Sequence, residues 1–425
     1  MNSQKYIKLK LEVTGNKLTI KIDCSENIKK YFLTDYVYIE YDQDMTNISK
    51  SILYIPTISN IITMAWAVGA DIYVEELDKT FIDSLGKIKQ VFEKWHPQFS
   101  FSTSLYVENV ILNQFNGEGY GLLFSGGVDA LTSYLLHKDK HPDLFMVWNI
   151  NYPVREYGNG SKQEWKNIHL IKTNMQQLLH NILLRREFNV GDWYESINHA
   201  LCLLGLTAPL TTKGIGTVLI ASSFTETNVI PWGSHPLIDN NVAWANVKVI
   251  HDGFELSRQD KIKYIAQYPE YLSDLIVCNG HWHNDHKNCC RCEKCCRTIT
   301  GLILGGIDPR KYNFNIDPKK ILGYIKNCFT KGRFEEGFSN FSMWVDIQKH
   351  IPEQLNNDIY CSKEFFTWLR EFDFSNYKMS KSQHFIWGIS GLVSKVGVVK
   401  TIKRVPRFII RRLNGGLTRI KVIKA

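Results

Sequence analysis

Hydrophobic and polar residues alternate one by one in the first part of the chain. The alternation runs through KYIKLKLEV, KLTIKID and YVYIEY within residues 5–60. A period of two residues is typical of strands with one buried face. SLGKIKQVFEKW at residues 84–95 instead repeats its apolar positions at helical spacing. Residues 1–103 are therefore predicted to form a small N-terminal α+β domain.

From about residue 104 the pattern changes to strand-then-helix units. GYGLLF is followed by DALTSYLLHK, and DLFMVWNINY by a long predicted helical stretch through SKQEWKNIHLIKTNMQQLLHNIL. TVLIASSF, VKVIHDG and SDLIVCNG predict three more short strands. Such alternation is typical of an α/β fold, a parallel Rossmann-like sheet with helices on both faces and the ligand at the carboxyl ends of the strands. We predict this domain over residues 104–310 and a helical region over residues 311–425.

The composition is that of a globular protein. With 425 residues, 44% of them hydrophobic, the chain can bury one substantial core and a second, smaller one. No window approaches the apolar length of a membrane span, and the first residues, MNSQKYIKLKLEV, lack the order of a signal peptide. A cytoplasmic protein is the expectation.

The net charge of +9 is concentrated at one end of the chain. Acidic residues are absent from Phe374 to Ala425, and residues 395–424 carry ten basic ones. Their apolar residues recur at helical spacing, interrupted at Pro406, which is typical of a helix on an acidic membrane surface or on nucleic acid. A helix that packs on the protein itself and a helix that binds a protein partner are alternatives. The rest of the chain is close to neutral, which disfavours nucleic acid as the partner. A homodimer is a further candidate assembly.

The pentapeptide SGGVD, residues 125–129, carries the first candidate chemistry. Gly126 and Gly127 follow a predicted strand and precede a helix that begins near Asp129, so successive backbone N–H groups can point into one concavity. Ser125 adds a hydroxyl donor, whereas Asp129 would repel a phosphate unless Mg²⁺ or a positive substrate group lies between them. The pattern matches neither a Walker A loop nor GxGxxG. It predicts an anion cradle.

Ser125-Gly126-Gly127-Val128-Asp129 resembles the SGGxD signature of the PP-loop ATP pyrophosphatases. The resemblance implies a HUP-type fold in which this loop holds the pyrophosphate end of ATP. A substrate oxygen then attacks the α-phosphate, and ammonia or a sulfur species displaces AMP. Adenylation turns a poor leaving group into a good one, while the cradle stabilises the departing pyrophosphate. The family usually has Ser where this chain has Ala130.

Six of the ten cysteines lie between Cys278 and Cys296. Cys278, Cys289, Cys292 and Cys295 can close a tetrahedron of thiolates around zinc. Disulfides, an iron–sulfur cluster and reactive thiols for sulfur transfer are alternative interpretations. Other residues could replace a ligand, namely Cys290, Cys296, His281, His283 and His286.

The order of these motifs resembles that of 7-cyano-7-deazaguanine synthases in particular, in which the cysteines bind a structural zinc beside the nucleobase pocket. In this chain CCRC stands where the family has CGxC. The resemblance implies an ATP-dependent, AMP-forming ligase that uses ATP, Mg²⁺ and Zn²⁺. It would adenylate a small carboxylate substrate, deazapurine-like, and use an ammonia source to give an amide or nitrile.

Weaker candidates lie between the two motifs. VIHDGFELSRQDKI, residues 249–262, resembles a family segment that implies Arg258 as a catalytic phosphate contact beside Ser125 and Asp129, and Asp260 as a substrate contact. The remaining candidates follow a predicted strand: Ser222 and Ser223 for the nucleotide, Trp232 for stacking on a planar base, and His235, with Asp239, in a loop over the pocket. His251 and Asp252 are discounted as a pair, because adjacent strand residues point opposite ways.

Two other functions remain open. The first keeps the adenylation but transfers sulfur, and it needs reactive thiols such as Cys290 or Cys296. The second is a catalytically weakened nucleotide-binding module, in which Ala130 marks a lost contact and the basic tail recruits a membrane or partner.

Overall fold

The computed structural model describes residues 4–149, 165, 167–278, 288–331, 342–354 and 362–374. The basic tail and the three candidate histidines at 281, 283 and 286 lie outside the described residues. Within the described ranges, no helix combines the length and the apolar character that crossing a membrane requires.

Eleven strands form one sheet, in the order β10-β11-β9-β6-β7-β8-β3-β2-β1-β4-β5. The strands are β1 (Tyr6–Thr14), β2 (Lys17–Cys24), β3 (Tyr36–Glu40), β4 (Asp71–Asp78), β5 (Leu105–Ile111), β6 (Gly119–Leu123), β7 (Asp143–Asn149), β8 (Ile168–Thr173), β9 (Ile215–Ala221), β10 (Ala243–Trp244) and β11 (Val247–Asp252). The five neighbours from β11 to β8 are parallel, as the strand-then-helix pattern predicts.

Helices connect the strands and continue after the last one. They are α1 (Glu26–Lys29), α2 (Lys50–Leu53), α3 (Ile55–Val68), α4 (Lys79–Trp95), α5 (Val128–Leu136), α6 (Asn181–Phe188), α7 (His199–Thr207), α8 (Pro236–Asp239), α9 (Arg258–Ile265), α10 (Pro269–Leu272), α11 (Glu293–Leu304), α12 (Pro318–Lys331), α13 (Ser342–Lys349) and α14 (Lys363–Glu371). The α/β class is confirmed, and the described residues after Cys296 are mostly helical, as predicted.

The sheet continues across the predicted boundary at residues 103 and 104. Strand β3 pairs with β8 in antiparallel register, with Ile39 opposite Thr173. Strand β5, which follows the predicted boundary, pairs in parallel with β4 from the N-terminal part. The two predicted domains therefore share one hydrogen-bonded sheet, and their separation into domains stays a prediction.

Helix α3 is the centre of the largest hydrophobic cluster, and each of its residues is buried. It packs against α7, where Gly205 lies so close to Ser59 that an added Cβ would be 2.3 Å from the serine Oγ. The prediction of strands over residues 5–60 is right for β1, β2 and β3 and wrong for residues 50–53 and 55–60, which belong to α2 and α3. A helix that is apolar on all sides shows no amphipathic period.

Two other predicted elements differ in the structure. Residues 168–173, predicted as part of a long helix, form β8, because this segment fills the place between β7 and β3. SDLIVCNG forms no strand over its described residues 273–278, where the backbone N–H groups of Val277 and Cys278 donate to the side chain of Asn288. In both places long-range pairing decided the outcome over local pattern.

Asp78 connects three elements and gives a test of the fold. Its buried carboxylate accepts hydrogen bonds from the backbone N–H groups of Phe81 in α4 and Ala245 after β10, and from the side chain of Asn113. We expect Asp78→Ala to lower the free energy of unfolding by about 2–4 kcal/mol, because it removes a helix cap and leaves buried donors unpaired. Urea denaturation measures this. The exposed control Asp83→Ala in α4 should change stability by less than about 0.5 kcal/mol, and equal losses for both variants would contradict the prediction.

Candidate functional site

The SGGVD segment forms the predicted turn between a strand and a helix. Strand β6 ends at Leu123, Gly127 caps the N-terminus of α5, and Gly126 has a φ of 68°, a left-handed conformation that favours glycine. The carbonyl of Gly126 accepts a hydrogen bond of 3.0 Å from the N–H of Ile276. The turn is thereby fixed to the segment that leads into Cys278.

Asp129, in the first turn of α5, forms two ion pairs with α9. Its Oδ2 lies 2.7 Å from Nη1 of Arg258, and its Oδ1 lies 3.4 Å from Nζ of Lys261. The two basic side chains are 8% and 3% exposed. Lys261 also donates to the carbonyl of Ser222 at the end of β9. The structure therefore brings together Asp129 and Arg258, two of the three predicted catalytic residues, and adds Lys261.

These cations determine the ionisation of Asp129. Burial favours the protonated carboxyl, but the charges of Arg258, Lys261 and Arg297 together hold the pKa of Asp129 well below its usual range. The carboxylate is ionised at neutral pH. The positive groups beside Asp129 are thus supplied by the protein itself.

Two further cations come from α11. Arg297 pairs with Glu293, Nε to Oε1 at 3.0 Å, and burial lowers the pKa of Arg297. Lys294 keeps an exposed surface, but nearby protein atoms partly desolvate its ammonium group. This desolvation, together with the charges of Arg297 and Arg258, lowers the pKa of Lys294. Buried Nε of Arg258 and Nη1 of Arg297 have no hydrogen-bond partner among the described residues. Positive charge exceeds negative charge here, with four cations, Arg258, Lys261, Lys294 and Arg297, against three carboxylates, Asp129, Glu293 and Glu195.

The predicted nucleotide contacts have different environments. Ser125 and Ser223 are exposed, whereas Ser222 is buried and its hydroxyl donates to the carbonyl of Phe224. Val128 is buried in the core, so only its backbone can face a ligand. Ala130 packs among apolar residues of β6, β7 and β9. Ser125 is therefore the exposed hydrogen-bonding side chain of the turn, and its Oγ accepts a hydrogen bond of 3.4 Å from the N–H of Gly127.

The residues that were predicted to contact the substrate form structural interactions instead. His235 is buried and caps α8 by accepting from the N–H of Leu237. Asp260 forms a capping box with Ser257 at the start of α9 and pairs with His350. Trp232 is partly exposed, with its ring 6.3 Å from that of Phe224. None of the three contacts the Asp129 ion pairs in the described structure.

A buried polar network at the end of β11 was not predicted. Oδ2 of Asp239 lies 2.7 Å from Nδ1 of His251 and accepts a 2.7 Å hydrogen bond from Ser234. Asp252 instead pairs with His137 at 2.9 Å. The adjacent His251 and Asp252 thus have separate partners, as alternation along a strand predicts.

Lys261 and Arg297 were also missed, although the sequence contains a signal for them. Lys261 follows Arg258 by three residues and Arg297 follows Glu293 by four, spacings that place side chains on one helix face. Which helix faces meet Asp129 depends on packing between α5, α9 and α11, which spacing alone does not specify.

The four predicted metal ligands converge. The sulfur atoms of Cys278, Cys289, Cys292 and Cys295 all lie within 4.8 Å of one another, and two of their separations are 3.8 Å. Sulfur atoms about 2.3 Å from a tetrahedral zinc ion are about 3.8 Å apart, so the group can hold a metal ion and is compatible with zinc. No disulfide joins the described cysteines.

Cys290 and Cys296 lie outside this group. Their buried thiols donate to the carbonyls of Asn288 and Arg291. Burial raises the pKa of Cys290 to about 12 and that of Cys296 well above its usual range. Neither has the low pKa and exposure typical of a reactive thiol.

The cysteine cluster is joined to the SGGVD turn. Asn288 accepts from the N–H groups of Val277 and Cys278, one residue beyond the hydrogen bond between Ile276 and Gly126. Cys292 is the N-cap of α11, the helix that carries Arg297. A metal held by the four thiols would therefore position both the turn and α11.

We expect the protein to bind zinc through the cysteine cluster. Cys289→Ser should reduce bound zinc from about one ion per chain to near zero and lower the thermal midpoint, since a closed thiolate site contributes folding energy. Mass spectrometry of purified protein measures the metal. The matched control Cys290→Ser should retain zinc, and iron with visible absorption would contradict the prediction.

The ion pairs of Asp129 give a pH-dependent prediction. Asp129→Asn should cost about 3 kcal/mol at pH 7, because it leaves two buried cations unpaired. The pKa of Asp129 in the folded protein lies below the ordinary value of 3.8. The stabilisation by the ionised carboxylate is therefore complete above about pH 5 and is lost progressively as the pH falls below about 5. Urea denaturation of both proteins from pH 7 to pH 3 measures it. The exposed control Asp139→Asn should show no such trend, and a constant difference for Asp129→Asn would contradict the prediction.

Comparison with known proteins does not assign the chain to a family. No protein-family model, curated protein or solved structure matches it. The geometry and charge around Asp129 carry the functional argument instead.

Proposed function

We propose that the protein is an ATP-dependent, AMP-forming ligase of the PP-loop type, similar to 7-cyano-7-deazaguanine synthases. The supporting observation is the convergence of buried cations from α9 and α11 on the SGGVD turn, at the carboxyl end of a strand in a parallel sheet. Ligands of open α/β sheets bind at that edge. The excess of positive charge suits a polyphosphate.

Each group has a distinct role in this proposal. Ser125 and the backbone N–H groups of the turn bind the pyrophosphate part of ATP, and the N-terminus of α5 favours its negative charge. Arg258 and Lys261 stabilise charge that develops as pyrophosphate leaves. Asp129 holds these two cations in position, so its role is positioning. Mg²⁺ would accompany ATP.

The acceptor is a small carboxylate. Its oxygen attacks the α-phosphorus of ATP, the bond to the β-phosphate oxygen breaks, and pyrophosphate leaves with the electron pair. Ammonia then attacks the acyl carbon, AMP leaves, and the product is an amide. The four-cysteine site supports the turn through a structural zinc. The buried state of Cys290 and Cys296 disfavours sulfur as the nucleophile.

One observation favours a second candidate, a nucleotide-binding module of weakened activity. Both oxygens of Asp129 already pair with protein cations, and among the described residues the only group of three or more metal-ligating side chains is the cysteine cluster. Such a module would bind ATP without turning it over.

Product analysis distinguishes the two candidates. Purified protein is incubated with ATP, Mg²⁺ and ammonium, with and without 7-carboxy-7-deazaguanine, and AMP and ADP are separated by chromatography. We expect AMP and pyrophosphate, together with a lighter base if this acid is the substrate. ADP as the product would contradict the class, and bound ATP without AMP for any acid tested would favour the binding module.

A matched pair of variants tests the role of Arg258 in the proposed reaction. Arg258→Met should reduce AMP formation by about 100-fold, because it removes one donor to the developing charge. Lys263→Met changes an exposed residue of the same helix and should leave the rate unchanged. Equal rates for the two variants would remove Arg258 from the proposed site.

A further inference from the structure

Strand β5 ends the sheet with an open side. It pairs with β4 on one side, and no described strand pairs with its other side. The N–H of Ile72 in β4 donates to the carbonyl of Ser104, so the backbone groups of alternate residues from Ser104 onward face β4. Those of Leu105, Val107, Asn109 and Ile111 therefore face outward and can pair with another strand.

Large apolar side chains are exposed along β5 and the residue after it, beside the polar Glu108 and Asn109. Tyr106, Val110 and the following Leu112 are 48%, 51% and 66% exposed. The ring of Tyr106 stacks on that of Tyr73 at 4.7 Å, which fixes its position on one face of the sheet. A single exposed apolar residue is normal on a protein surface, but three along one edge segment indicate an interaction surface.

The usual protection of an edge strand is missing in β5. Natural edges carry lysine, proline or bulges, or are very short. Strand β5 spans Leu105–Ile111 in an unbroken register with β4, and its single charged residue is Glu108. The opposite edge is protected by its short length, since β10 has only two residues. One copy's β5 therefore cannot find a matching strand at the other copy's β10.

We propose that β5 is a homodimer interface, at which two copies pair antiparallel about a two-fold axis through Asn109. In this register Tyr106 lies opposite Leu112 of the partner subunit, and Val107 lies opposite Ile111 of the partner subunit. Glu108 lies opposite an apolar residue, Val110 of the partner subunit. The outward-facing backbone groups form the hydrogen-bonded pairs.

Other registers are less complementary. An axis through Glu108 places two carboxylates directly opposite each other, which is destabilising. An axis through Val107 places Tyr106 opposite Glu108 and leaves Leu112 uncovered. An axis through Val110 would instead place Leu112 opposite Glu108 and Tyr106 opposite Gln114. The axis through Asn109 places Tyr106 and Leu112 opposite each other and opposes no like charges, and this self-complementarity identifies a second copy as the occupant.

Sedimentation of the full chain under reducing conditions tests the proposal. One strand pair buries less than a standard interface, so we expect a dimer with a dissociation constant on the order of micromolar. Tyr106→Lys with Leu112→Lys should raise that constant at least about tenfold, because it brings positive charges together across the pair. Tyr36→Lys alters an exposed tyrosine of an interior strand and should leave the dimer intact.

Cross-linking tests the register independently. In a hydrogen-bonded antiparallel pair the Cα atoms are about 5.5 Å apart, within the range of a disulfide. Oxidised Asn109→Cys should form a covalent dimer, whereas Lys10→Cys on interior strand β1 should form no more than the unmodified protein. A monomer throughout, cross-linking equal to the control, or a dimer that survives the lysine variants would each overturn the proposal. If another part of the chain or a different protein occupied this edge, the protein would stay a monomer and Asn109→Cys would cross-link no more than the control.

Discussion

The site at the SGGVD turn depends on one half-buried carboxylate, that of Asp129. Asp129 can remain ionised in the protein interior only because Arg258 and Lys261 approach it from α9. Removing one partner of such a pair costs about 3–5 kcal/mol, so each side holds the other in place. The turn after β6, the end of β9 and the first turn of α9 are thus fixed relative to one another.

The same interaction sets the charge of the site around Asp129. Asp129 neutralises part of the positive charge that α9 and α11 bring together, and the remainder is available to an anion. The cysteine cluster fixes the other side, because its segment is hydrogen-bonded to Gly126 and its last ligands begin α11. The SGGVD turn, the cations and the cysteine cluster therefore form one connected structure at the carboxyl ends of the parallel strands.

The N-terminal part shares its sheet and its core with the part of the chain that carries the SGGVD turn. Its strands extend the sheet through the pairing of β3 with β8, and its buried helix α3 shares a core with α7. That extension also determines the two ends of the sheet. One ends in the short β10, and the other ends in β5, with its exposed apolar residues.

The sequence by itself determined the local elements and the ligand types. Alternation predicted β1 to β3, strand-then-helix units predicted the α/β class, and the spacing of Cys289, Cys292 and Cys295 predicted the thiol cluster, since these signals depend on short-range geometry. Only the tertiary structure decided that residues 168–173 form a strand, that α3 is central, and that Lys261 and Arg297 join Asp129. The physical reason is that strand pairing, all-round burial and the approach of separate helices depend on residues distant in the chain, which no local period records.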